Sequence, residues 1–185
     1  MNLLRMTTPL VGTGAYDFDK WALRTIGGNY LVAATALTRP ANTDAYTAKD
    51  VVGPAVTANL TFTNVAREVG GSGKIVKACL FTDQSANVAR YRLHLYHTAP
   101  VAIADNAPMA ILWVKRASRV GYIDFAAAVT EGTGSDMAYS LNAAPGLPFV
   151  CVADSRNLLG VLEALDAFTP ASSQGYYIEL TAETT

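Results

Sequence analysis

Charge is what this sequence has least of. Lys, Arg, Asp and Glu make up 16% of the 185 residues, against about 25% in an ordinary soluble domain. Much of the surface must then be neutral, and a neutral surface on a soluble chain generally ends up against something. The shortage favours an oligomer or assembly subunit over a free monomer. What charge there is nearly cancels, with a formal net charge of −1 and a sequence pI near 6.1. No global field draws such a chain to nucleic acid or to an anionic membrane, so neither is an expected partner.

Long apolar runs are missing too. A stretch such as residues 30–37 falls far short of the ~20 residues that span a bilayer. The opening residues 1–9 lack the basic start and apolar core of a secretory signal, which sets an expectation of synthesis and use in a cytoplasm. Cysteine is scarce: Cys79 and Cys151 each sit in an apolar run, which reads as two small reduced core residues. A disulfide between them is the alternative, disfavoured in a cytoplasmic product.

Recognisable catalytic chemistry is also lacking. Gly70-Gly71-Ser72-Gly73-Lys74 approaches a phosphate-binding loop, but Glu68 stands where the first glycine belongs and Ile75 where Ser or Thr should hold magnesium. The glycines read instead as a hairpin turn. His94 and His97 are the two histidines, and their odd spacing puts them on opposite faces of an extended strand, poor geometry for one metal. No Gly-x-Ser-x-Gly elbow occurs. The carboxylates Asp105, Asp124, Asp154, Glu163 and Asp166 are scattered, and any β-protein offers pairs among such groups. Enzyme activity is therefore disfavoured, and no cofactor or metal is expected.

What is present is a succession of short β-segments separated by turn chemistry. Residues 30–37 come first, followed by a Pro/Asn/Asp-rich loop at 38–46 that cannot continue a central strand. Residues 56–65 alternate apolar with neutral polar. Residues 74–82 read as a strand buried on both faces. Residues 88–96 alternate most clearly, with Ala89, Tyr91, Leu93 and Leu95 against Arg90, Arg92 and His94. Residues 109–114 and 120–125 form the next expected pair, 136–141 a short strand, and 147–152 follows a Pro-Gly turn. Residues 158–168 also fit a helical stripe, but their strand neighbours favour a strand. Residues 176–182 close the series. Nine or ten strands joined by loops of unequal length predict an all-β fold, a jelly-roll-like β-sandwich spanning residues 29–185.

Residues 1–28 differ. They scatter Tyr16, Phe18 and Trp21 among glycines without a sustained period, and read as an irregular N-terminal arm. Docking on a neighbouring subunit and covering the chain's own domain are both open for it. The other candidate interface is the row Arg90, Arg92 and His94, which is self-repelling unless acids oppose it. Either acids such as Glu163 or Asp166 pair with the row inside the subunit, or the row faces a partner through bidentate arginine contacts.

The stretches at residues 38–52, 60–67, 71–75, 89–95, 103–108, 119–125 and 165–170 together resemble a family of tailed-phage virion proteins. The likeness runs in order over roughly residues 35–182. It implies a particle component located in the virion and carries no catalytic residues. Head decoration at the outer capsid surface is inferred from size, β-architecture and neutral composition. The expected partners are copies of the chain itself, as a homotrimer, and the major capsid protein. Two alternatives stand beside it: a tail, baseplate or head-fibre component, and a carbohydrate-binding β-sandwich that stacks sugars on Trp113, Tyr122, Tyr176 or Tyr177.

Overall fold

The computed structural model describes residues 29–130 and 132–184, so the expected arm with Tyr16, Phe18 and Trp21 lies outside the described residues. Ten strands follow in order: β1 (Tyr30–Thr38), β2 (Val51–Val52), β3 (Leu60–Phe62), β4 (Ser72–Thr82), β5 (Tyr91–Tyr96), β6 (Arg119–Phe125), β7 (Ala138–Asn142), β8 (Leu147–Val150), β9 (Leu158–Ala164) and β10 (Gly175–Thr184). A 3-10 helix, Trp113–Ser118, precedes β6. The strands form two antiparallel sheets. Sheet I runs β1-β10-β4-β7, with β8 also on β4; sheet II runs β2-β9-β5-β6, with β3 also on β9. The described residues that form regular structure are nearly all β, as their turn-punctuated alternation predicts.

One core lies between the sheets. Sheet I supplies Ile75, Leu80, Tyr176, Ile178 and Leu180, and sheet II supplies Phe62, Tyr91, Leu93, Leu95, Ile123 and Phe125. Each such side chain contributes roughly 1.5–3 kcal/mol on leaving water. The aromatic handles are paired as well: Tyr91 from sheet II and Tyr176 from sheet I bring their hydroxyls within 3.2 Å, and Asn87 Nδ2 donates to Tyr91 at 2.5 Å. Burial pushes the Tyr91 phenol up to about 12. Cys79 and Cys151 are buried and free, and burial raises both thiols above their ordinary range. Both side chains are thus buried, as two core cysteines should be.

Several expected elements differ. Of residues 56–65, only Leu60–Phe62 form a strand, and Val56 is exposed. The edge of sheet II is instead a broken strand: Val52 pairs with Leu162 and Leu60 with Gly160, so residues 53–59 loop out opposite Val161 alone. Strand β4 is not buried on both faces, since Lys74 and Lys77 reach solvent. A register shift against β10, between Thr181 and Ala182, lets Ile75 and Ala78 both point into the core although they are three apart. The Gly70–Gly73 turn is no hairpin, because it joins β3 in sheet II to β4 in sheet I. Gly70 does adopt positive φ there, at 71°. Residues 109–114 make no strand; β6 pairs with β5 and is a sheet edge, leaving that run in a loop and the start of the 3-10 helix. Residues 158–164 are a strand, ending where Leu165 N–H reaches the Arg90 carbonyl.

Candidate interaction surface

Strand β5 sits between β9 and β6, so every outward side chain on it has neighbours on both sides. Arg92 lies opposite Asp124 on β6 and Glu163 on β9. Its guanidinium grips Asp124 with two bonds, Nε to Oδ1 at 2.6 Å and Nη2 to Oδ2 at 2.9 Å, and lies 4.1 Å over the Tyr122 ring. The bond to Asp124 holds the Arg92 pKa above its ordinary value against partial desolvation. Just before the strand, Arg90 donates to Asp166 from Nη2 at 2.6 Å, from Nε at 3.0 Å and from its backbone N–H at 2.9 Å. These bonds raise Arg90 and lower Asp166.

His94 is nearly inaccessible, at 2% exposure. Its Nε2 lies 2.7 Å from Glu163 Oε2, and Arg119 Nη2 lies 3.3 Å from its Nδ1. A neutral ring protonated on Nε2 satisfies both: it donates to Glu163 and accepts from Arg119. Burial lowers the His94 pKa, aided by the nearby Arg119 and Arg92 charges, and this outweighs the pull of Glu163 upward. The cationic row is thus answered by acids inside the subunit, Asp166 and Glu163 as weighed from the sequence, with Asp124 as a third.

The far end of the same face is covered. Tyr96, Val51 and Val161 form a second small cluster with Ile103 and Met109 from the loop spanning residues 97–112. A buried clamp fastens this loop. Asp105 accepts from Arg39 Nη2 at 2.9 Å, from the Tyr46 hydroxyl at 2.5 Å and from Gly53 N–H at 2.9 Å. Arg39 also donates Nε to the Tyr46 oxygen, Nη2 to Asn42 Oδ1 at 3.2 Å and Nη1 to the Ala171 carbonyl at 3.3 Å. Burial by itself would lower the Arg39 pKa, but Asp105 and Tyr46 hold it above its ordinary value. Burial, reinforced by Asp105, raises the Tyr46 phenol. Sequence reasoning missed this clamp: Arg39 reads as a loop residue, and Asp105 as one of several scattered carboxylates.

The outer face of sheet I is built differently. Tyr177 on β10, Phe81 on β4 and Tyr139 on β7 form a row, with successive ring centroids 6.0 Å apart. Tyr30, Val32, Leu141 and Val150 are exposed on the same side. A shallow depression of ≈ 300 Å³ beside the row is lined by Ala36, Phe81, Met137 and Tyr177 among others. Lys74, Lys77, Glu179 and Glu183 also lie on this face, and among the described residues they make one loose ion pair, Lys77 to Glu179 at 3.6 Å. A second apolar feature is the exposed run Ile111-Leu112-Trp113-Val114, with Arg116 lying 4.4 Å from the Trp113 ring centre. Of the aromatics considered for sugar stacking, Trp113, Tyr122 and Tyr177 are exposed and Tyr176 is buried.

Among the described residues, no group of three or more His, Cys, Asp and Glu is placed to hold a metal ion. The carboxylates Asp105, Asp124, Glu163 and Asp166 are each engaged by Arg39, Arg92, His94 and Arg90 respectively. Comparison with family models and with curated proteins finds no match to this chain.

Proposed function

We propose that this chain is a non-enzymatic structural subunit of a tailed-phage particle, one that decorates the head by packing against copies of itself and against the capsid protein. The observation that carries this reading is the outer face of sheet I, where an aromatic row and exposed aliphatics stand beside four charged groups, Lys74, Lys77, Glu179 and Glu183, that make one weak ion pair among the described residues. Such a face gains little in water and much against a complementary surface, and many moderate contacts repeated by symmetry add up to a firm attachment. The sequence resemblance to tailed-phage virion proteins supplies the setting.

The strand order supports a jelly roll as the finer description. If β2 and β3 count as one interrupted strand, and β7 and β8 as another, eight strands remain. The first then pairs with the last (β1 with β10), the second with the next-to-last (β2 and β3 with β9), the third with β7 and β8, and β5 with β6. That nesting is what a long hairpin gives when it rolls up into two sheets.

Quantifying the protein in purified particles and locating it by cryo-EM tests the proposal. Tens to hundreds of copies on the head support it, and absence from particles sinks it. A few copies at the tail would favour the tail or baseplate reading. Deleting residues 1–28, with Tyr16, Phe18 and Trp21, is expected to weaken attachment while leaving the β-fold intact. One observation favours a carbohydrate-binding role instead: Trp113 is 76% exposed. Its aliphatic neighbours Ile111, Leu112 and Val114 suit a protein partner better than a sugar, and glycan binding abolished by Trp113→Ala would reverse that judgement.

A further inference from the structure

Each sheet ends in an edge strand, and three of the four edges carry features that discourage pairing with another chain. In sheet II, one edge is broken into the short β2 and β3 with Gly53-Pro54 between them, and the other, β6, carries Arg119 and Asp124 and a register irregularity against β5. In sheet I, the β7 and β8 edge is interrupted by the turn at residues 143–146, and β8 contains Pro148. Strand β1 has none of this. Its sequence Tyr-Leu-Val-Ala-Ala-Thr-Ala-Leu-Thr has no charge, proline or glycine, and it pairs with β10 over nine residues without a shift.

The phase of the ladder identifies its free groups. Thr184 N–H bonds to the Asn29 carbonyl and Arg39 N–H to the Gln174 carbonyl, so odd-numbered residues turn their backbone toward β10. Even-numbered residues turn theirs outward. Thr38 uses its outward carbonyl to accept from Ala55 N–H. Among the described residues, the outward N–H and C=O groups of Tyr30, Val32, Ala34 and Ala36 have no partner.

We propose that this edge pairs with β1 of a second copy of the chain, antiparallel about a twofold axis at Ala33, making the two copies of sheet I continuous. That register sets Tyr30 opposite Ala36 and Val32 opposite Ala34 of the other copy, so each large outward side chain meets an alanine. All four free residues of each strand enter hydrogen-bonded pairs, and the Thr38 carbonyl keeps its bond to Ala55. A strand without charge buries no unpaired ion when its edge is covered and meets no charge repulsion in this register, so among the described edges β1 is the one that suits a second copy of itself. The contact deepens the proposed subunit role, on which it rests for its setting, by naming one self-contact. Being twofold, it joins copies in pairs, and a threefold association would need another surface.

The test is light scattering on the full chain together with hydrogen exchange at two protein concentrations. A dimer is expected, with the amides of Val32, Ala34 and Ala36 protected more strongly at the higher concentration. Ala34→Pro removes an outward N–H and no bond to β10, so it should leave the fold intact and abolish the dimer. If that variant fails to fold, Val32→Lys serves the same purpose. A wild-type monomer overturns the proposal, as does a dimer or trimer indifferent to a folded edge variant. Protection independent of concentration would mean that residues 1–28 or another segment cover the edge within one chain, which also overturns it. A solution monomer that is abundant on particle heads would reject the edge pairing and leave the proposed function standing.

Discussion

On the outer face of sheet II, Arg90, Arg92 and His94 meet Asp166, Asp124 and Glu163, and the clamped loop of residues 97–112 covers the end beyond them. The outer face of sheet I carries an aromatic row, several exposed aliphatics and four charged groups, Lys74, Lys77, Glu179 and Glu183, with one ion pair at 3.6 Å among the described residues. Both faces belong to antiparallel sheets of similar size over one core, so the fold alone does not dictate the difference. Polar groups that end up close together in a dry or half-dry place must satisfy one another within the chain. Apolar groups left outside have no hydrogen bond to satisfy within the chain, and the cost of their hydration is relieved only where another surface covers them. Sheet II is therefore the internally completed face, and in the proposed role sheet I is the one that association would complete.

The largest expected effect comes from breaking the cover on sheet II. Asp105→Ala leaves the Arg39 guanidinium, whose side chain is 0% exposed, without its carboxylate. Removing one partner of a buried pair typically costs about 3–5 kcal/mol. Urea denaturation should show that loss. A cost under about 1 kcal/mol would mean that water reaches the site and that the cover is loose. The replacement should leave association through sheet I unchanged in whatever fraction remains folded, which keeps the two faces separable.

The His94 pair gives the comparison a pH signature. Burial keeps the folded ring neutral at pH values where the unfolded chain already binds a proton. As the pH falls below about 6.5, the ordinary histidine value, the unfolded state gains protons first and stability drops until the folded ring also titrates. Denaturant midpoints measured from pH 8 to 5 should be flat above that value and fall below it. His94→Gln should remove the fall, and an unchanged slope would assign it to other groups.

How much of this the sequence discloses depends on whether the cause is local. Strand β5 is legible because alternation reports faces, and both faces matter there. Strand β9 is half legible: it is central and buried from Gly160 to Ala164, so its apolar residues fill both faces and mimic a helical stripe. Residues 56–59 alternate as well as any strand yet form none, since β9 offers Val161 alone between the partners of β2 and β3. Alternation registers amphipathicity and is blind to whether a partner strand has a place to offer. Residues 109–114 fail for the same reason. The Arg39–Tyr46–Asp105 clamp is invisible because its ends lie far apart in sequence and nothing near Arg39 distinguishes a buried arginine from a solvated one. The arginine row announced a need for acids, and only the register of β6 against β5 revealed that Asp124 answers Arg92.

On sheet I the expected effect on stability is smaller. Tyr177→Lys removes the contact with Phe81 from a side chain that is 45% exposed. It should cost no more than about 0.5–1.5 kcal/mol, the worth of an aromatic pair, while particle attachment falls sharply. Equal attachment by the variant would show that the aromatic row is not a contact surface.

The smallest effects come from comparing the two faces through their ion pairs. Double-mutant cycles on Arg92 and Asp124 should return about 0.2–1 kcal/mol, near the top of that range because two parallel bonds hold the carboxylate and the guanidinium stacks on Tyr122. The coupling should shrink with added salt. Lys77 and Glu179, at 3.6 Å with side chains 46% and 26% exposed, should return no measurable coupling in the free subunit. If that pair instead couples as strongly as Arg92 with Asp124, the outer face of sheet I also satisfies its own charges. Its openness would then rest on the aromatic row and the β1 edge alone. Repeating the Lys77 cycle on assembled particles separates the alternatives, because burial beneath a partner would strengthen the pair there, whereas solvent exposure would leave it as weak as before.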